Sequence, residues 1–387
     1  MPRQFRKIGS LFFLGFWVFG MLSCGSSSRT SGILLATSQG SLDVNSYGIN
    51  LNTGILTQLN TAARVPANTV PGPIVLDPSR NFAYVGNSTS GGVAGSISAF
   101  SVDKNGKLNS VGSNVGTGVN PVALAIDGGN HFLFVANQLS NNVSVFTIGS
   151  NAGLTEVPGS PFQTGVLPPP TPTSTATPNS LAIIPSGAFL YVANQGQNTI
   201  TAFAVSGSGV LSFVGGIDTA AAFAAGSTPA GVTVDPSGKF LYVANSGSNN
   251  VSAFVICATP LPGCPSNFTP GSLVPVPGSP FSAGLGPVSL AVDPSDNFLY
   301  VADTTSNQLS GYRINASTGA LTPLSTPTFS TGTTPMSVAI HPAGNYLYVS
   351  NNGADTISGF HLVTQSGLLE SLTAVPAASR PAGIALK

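Results

Sequence analysis

Apolar and polar positions alternate in short runs along most of the chain, and each run ends in Gly, Asn, Asp, Ser or Pro. Such runs of four to eight residues predict β-strands joined by tight turns. The stretch Thr228 to Ile256 contains three of them: one opened by Pro229, then Phe240 to Ala244, then Val251 to Ile256. The turn between the first two is Asp235-Pro236-Ser237-Gly238, and the turn before the third spans Asn245 to Asn250. A single β-meander of this kind cannot bury both of its faces, so copies must stack.

The copies align on Pro71, Pro121, Pro178, Pro229, Pro287, Pro335 and Pro381, spaced 46–58 residues apart. Second strands read FAYVGN, FLFVAN, FLYVAN, FLYVAN, FLYVAD and YLYVSN, and third strands SISAF, NVSVF, TITAF, NVSAF, QLSGY and TISGF. A fourth strand follows a Gly-containing turn, as at Gly106-Lys107-Leu108. The last copy stops after its first strand at Lys387, while the first copy lacks that strand and begins near Ile33. The pattern predicts an all-β, seven-bladed propeller of four-stranded antiparallel blades, closed by the C-terminal strand completing the N-terminal blade. Closure removes the sheet edges that would pair with other molecules, and a monomer is expected.

These motifs resemble the YVTN-type repeats of the seven-bladed lactonase family, which includes 6-phosphogluconolactonase-like proteins. The resemblance covers nearly all of the chain after residue 31. It implies a propeller and a lactone-hydrolysing activity, but its motifs specify the blade and not a reaction.

Residues 1–24 read as a signal peptide: Arg3, Arg6 and Lys7 precede the apolar run Leu11 to Leu22, and Met21-Leu22-Ser23-Cys24 resembles a bacterial lipobox. Lipid on Cys24 would anchor an exported chain in the cell envelope, with residues 25–31 as a tether to a propeller over 32–387. From Arg29 onward nine Lys and Arg face twelve Asp and Glu, and charged residues are 6% of the whole, so nucleic-acid binding is not expected. Cys257 and Cys264 bracket a short insertion, for which a disulfide is the simple reading in an exported protein.

Chemistry is sparse. Between the opening proline and the sixth residue after it, no copy has Asp, Glu, His, Lys, Arg or Cys. Lactone hydrolysis needs a positioned base or a metal, and the innermost strands offer neither. No cofactor motif is visible and no metal site is assigned. Of the histidines, His131 and His341 fall at turns and His361 on a third strand. The Asp77, Asp127, Asp235 and Asp293 series reads as turn chemistry. One ring remains: Asn87, Asn137, Asn194, Asn245, Asp303 and Asn351 end the second strands, with Thr37 in the first blade. Its plain role is to bond local backbone. Its sharper role is a polar ring at the channel mouth that binds a small molecule or a protein, with Asp303 as a catalytic candidate and Asp218 or Arg313 as loop alternatives. The leading expectation is a lipid-anchored binding scaffold, with a lactonase and a cell-surface structural or adhesion protein as the alternatives.

Overall fold

Second strands such as Phe240–Asn245 are apolar on both sides, so each must be covered by a neighbour on both faces. In the computed structural model, which describes residues 30–66, 68–165, 175–214 and 222–387, this coverage comes from the flanking blades. Leu241 and Val243 pack with Tyr191 and Ala193 of the preceding blade, while Tyr242 and Ala244 pack with Leu299 and Val301 of the following one. Seven buried clusters result, one at each seam between blades, in place of a single central core.

The blades are seven antiparallel sheets, numbered here from the one holding Thr30–Ser38. In blades 2 to 7 the inner strand opens at or near the aligned proline, as in Pro229–Val234, followed by a second, a third and an outer strand. Blade 1 is completed by Pro381–Leu386, with Leu34 opposite Leu386 and Ala36 opposite Ile384. Reciprocal backbone bonds between Ile33 and Lys387 lock this closure. The first strand already starts at Thr30, so Thr30 and Ser31, expected in the tether, belong to blade 1. The signal peptide and Cys24 lie outside the described residues.

The repeated aromatic motif clasps adjacent blades. The Phe and Tyr of a second strand straddle the turn glycine before the next blade's outer strand. Tyr191 Oη donates to the Gly271 carbonyl at 2.9 Å, Tyr242 to Gly319 at 3.1 Å, Tyr300 to Gly367 at 2.6 Å and Tyr348 to Gly54 at 2.8 Å. The last of these crosses the seam where the ring closes. Each glycine has positive φ and lies under the ring that opens the same second strand, from Phe189, Phe240, Phe298 or Tyr346.

Blade 3 breaks the pattern. Ala152 occupies the glycine position with φ 57°, and Tyr84 of blade 2 has a buried hydroxyl with no hydrogen-bond partner among the described residues. A left-handed alanine costs about 1–2 kcal/mol, and a hydrogen bond contributes about 1 kcal/mol. Ala152→Gly is therefore expected to raise stability by about 1–2 kcal/mol in denaturant titration, and the part that comes from relief of the backbone should persist in a Tyr84→Phe background.

Two further features are local. Cys257 and Cys264 form a disulfide, S–S 2.04 Å, that clips the insertion after the third strand of blade 5. The related segments Val157 to Phe162 and Val276 to Phe281 are excursions within outer strands, not connections between blades. Leu154–Glu156 and Phe162–Gln163 both pair with the third strand Asn142–Ile148, and the Ser160 hydroxyl accepts the Val145 N–H across the gap.

Candidate functional site

The ring residues are buried inside their blades rather than open to the channel. Asn87, Asn137, Asn194, Asn245, Asp303 and Asn351 are each 0% exposed. Asn245 Nδ2 donates to Asn250 Oδ1 at 2.8 Å and Ser252 Oγ at 2.9 Å, while its Oδ1 accepts the Gly226 N–H. Asn137 makes the same bonds with Asn142, Ser144 and Thr117, and Asn194 with Thr199, Thr201 and Thr164. Asn351 and Asn87 reach Ser358 and Ser98. These side chains brace the second strand to the third, and no surface is left on them for a ligand. The partners are chiefly third-strand side chains, where local backbone was expected. The signal for the brace was present in sequence, because Ser or Thr stands seven residues after the ring position in blades 3 to 7.

Asp303 reverses the brace. Its Oδ2 accepts from Ser310 Oγ at 2.6 Å, with Gln308 and the Gly284 N–H as further donors. Burial pushes its carboxyl up to about 6, against the opposing pull of these donors. Buried to this degree, it cannot meet a substrate at the mouth as a base. Arg313 is also away from the mouth, stacked 4.7 Å from the Phe298 ring centroid. Asp218 lies outside the described residues.

The residue after each ring position is polar in every blade, and in blades 2 to 7 it is partly open at the proline end: Ser88, Gln138, Gln195, Ser246, Thr304 and Asn352, while Ser38 of blade 1 is buried. Several close the inner ring. Thr304 Oγ1 donates to the Pro335 carbonyl, Asn352 Nδ2 to the Pro381 carbonyl and Ser246 Oγ to the Thr228 carbonyl. Across blades 2 to 4 they form a continuous chain. Ser88 Oγ donates to Asn120 Oδ1, Asn120 Nδ2 to Gln138 Oε1, and Gln138 Nε2 to Asn179 Oδ1 at 2.7, 2.9 and 2.9 Å.

A second set of clasps carries the only charges in its series. In blades 3 to 7 the turn after the second strand holds a left-handed residue whose side chain accepts the N–H of the residue before the next opening proline. Asn141 takes Thr177, Asn198 takes Thr228, Asn249 takes Gly286 and Asn307 takes Thr334, all at 2.7–2.9 Å. In blade 7 the pair is Asp355 and Arg380, at 2.6 Å. Both are exposed, and the Arg380 guanidinium has no hydrogen-bond or ion-pair partner among the described residues. Asp355 and Arg380 thus set a carboxylate and a cation beside the channel entrance at the closing seam. They stand out in sequence as departures from a neutral repeat, although neither lies on an inner strand.

At the other end the aspartates act as turn residues. Asp235 Oδ1 accepts the Lys239 and Phe240 N–H groups at 2.8 and 2.7 Å, and Asp77, Asp127 and Asp293 repeat this. His131 pairs with Asp127 and His361 with Glu370, each at 3.0 Å. His341 is buried at the sixth position, where burial first and then Arg80 hold its imidazole below the usual range. Among the described residues no group of three or more His, Cys, Asp or Glu could hold a metal ion, and no helix is long and apolar enough to cross a membrane.

Comparison with known proteins agrees with this architecture. The family described as "Lactonase, 7-bladed beta-propeller" matches residues 33–158, 160–260 and 267–386. A 6-phosphogluconolactonase of Serratia proteamaculans is 27% identical over 164 residues, covering 41% of this chain and 46% of that protein. One of Formosa agariphila is 41% identical over 75 residues, 19% of this chain and 20% of that protein. The matched stretches thus span less than half the length of these curated relatives. Among solved structures, a protein of Bacteroides uniformis superimposes with a TM-score of 0.76 at 21% identity, covering 92% of this chain and 99% of the other. A periplasmic gluconolactonase of Pseudomonas aeruginosa gives 0.75 at 20% identity, covering 92% and 98%. These two likenesses concern the fold. With nearly the whole length from residue 33 to residue 386 matched by one family, the chain belongs to the seven-bladed β-propeller lactonases.

Proposed function

We propose that the protein hydrolyses a sugar-type lactone at the proline-end mouth, beside the seam of blades 7 and 1. The observation that carries this reading is the Asp355 and Arg380 pair, charged where the other blades are neutral. Departures from a repeat that serve no packing need concentrate at functional sites. In this reading Asp355 takes a proton from water as its oxygen attacks the lactone carbonyl. The Arg380 guanidinium faces the oxyanion that develops. The ring C–O bond then breaks, the proton passes to the leaving alkoxide, and a hydroxy acid is released. The mouth's hydroxyl and amide side chains, able both to donate and to accept, suit a hydroxyl-rich substrate.

The test compares kcat/KM on D-glucono-1,5-lactone for the wild type, Asp355→Asn and Arg380→Thr. Asparagine and threonine stand at these positions in other blades, so the clasp and the thermal midpoint should be retained. Activity should fall at least about 100-fold in each variant. Equal turnover in wild type and Asp355→Asn would remove the carboxylate from the reaction.

The inner strands themselves are uncharged up to the turn, which favours a second reading: a binding scaffold that holds its ligand without reacting. Export with a lipid on Cys24 is part of the same proposal, and the sequence from Arg3 to Cys24 supports it.

A further inference from the structure

The opposite end of the channel holds a cavity of about 510 Å³, within the size range of small-molecule sites. Polar and apolar surface line it in similar measure, and its aliphatic side chains come from three blades: Ile384 and Leu386 of blade 1, Ile74 and Leu76 of blade 2, and Ile126 of blade 3. Two polar side chains reach it, Asp77 and Arg80. The Asp77 carboxylate is fully occupied by its turn, accepting the Asn81 and Phe82 N–H groups and the Ser79 hydroxyl. Lys387, which follows the wall residue Leu386, donates its Nζ to the Val102 carbonyl at 2.7 Å. Arg80 is different. Its guanidinium is half-buried and has no hydrogen-bond or ion-pair partner among the described residues.

The backbone gives an independent reason to notice this arginine. Arg80 has φ 57°, in the left-handed region. The equivalent turn positions are Asn130, Gly187, Gly238, Asp296 and Gly344, all residues that enter this region readily. A bulky side chain held there against its conformational preference invites a functional reading.

We propose that this cavity binds a small aliphatic carboxylate, with Arg80 gripping the carboxylate and the isoleucine and leucine walls covering the chain. A planar guanidinium matches a carboxylate through two parallel N–H bonds, and the isoleucine and leucine side chains favour an apolar tail over a bare anion. The site lies at the other end of the channel from Asp355 and stands independently of the proposed hydrolysis.

The test is calorimetric titration of the whole propeller with hexanoate, hexanol and inorganic phosphate. Hexanoate should bind wild-type protein at least about tenfold more tightly than either probe carrying only the chain or only the charge. Arg80→Gln and Arg80→Gly should each weaken hexanoate at least about tenfold. Arg80→Gly should keep or raise the thermal midpoint, because glycine is the residue at this turn in blades 4, 5 and 7, so lost binding would not be lost folding. Asp355→Asn should bind hexanoate as the wild type does. The proposal is overturned if hexanoate does not bind, if both Arg80 variants bind it unchanged, or if phosphate binds as well as hexanoate.

Discussion

Gly367→Ala is expected to destabilise the propeller by about 4 kcal/mol, the largest loss from adding one methyl group that the clasps imply. Three effects act together at this residue. Its φ is +76°, which costs an alanine about 1–2 kcal/mol. A Cβ would stand 2.3 Å from the Phe298 ring, which is itself buried between blades 6 and 7 and cannot step aside without opening the seam. The displaced turn would also carry its carbonyl away from the Tyr300 hydroxyl, leaving a buried phenol without an acceptor. Gly207→Ala is the matched control, since its added carbon meets nothing within 4 Å. Denaturant midpoints for the two variants check the claim; a loss below about 1 kcal/mol in Gly367→Ala would show that the clasp contributes little.

Asp303→Asn is expected to stabilise the protein above neutral pH and to leave it unchanged in acid. Burial raises the Asp303 carboxyl from its ordinary value near 4 to about 6 in the folded state. The fold therefore favours the protonated form. The stabilisation from that proton is fully present below the unfolded value and is lost as pH rises through about 6. Above this the ionised group costs about 3 kcal/mol, from a shift of about two units at 1.36 kcal/mol each. Asparagine restores the brace used in the other blades, with Gln308 turning its amide to accept. Tyr312 feels the Asp303 charge, and burial keeps its phenol neutral throughout this range. Unfolding free energies of wild type and variant should coincide near pH 4 and diverge by about 2–3 kcal/mol by pH 8. Parallel curves at both pH values would contradict the assignment.

The blade architecture was legible because strand alternation and turn composition are local signals, and the two incomplete ends fit only one closure. The clasps were not legible as clasps. Tyr191 and Gly271 stand 80 residues apart, and Tyr348 and Gly54 are 294 apart, so no window on the sequence brings them together. The asparagine ring was visible as a register but misplaced in depth. An Asn at a strand end before a glycine-rich turn reads as exposed, whereas the chain leaving the preceding blade, through Thr117, Thr164 or Gly226, covers it. A channel would present reactive residues on its inner strands. Those strands instead pack side chains into the seams and satisfy one another's edges, as when Ser180 and Ser289 accept the Val232 and Val338 N–H groups. What distinguishes this chain chemically lies one residue outside the inner strand, at Arg380, and in the turn that holds it.

The measurement that bears most directly on the functional account is acid release from D-glucono-1,5-lactone and 6-phosphogluconolactone by the wild-type protein, followed against spontaneous hydrolysis at fixed pH. The account predicts release proportional to protein concentration on at least one of the two. Rates equal to the spontaneous ones on both would contradict it and leave a propeller that binds without reacting.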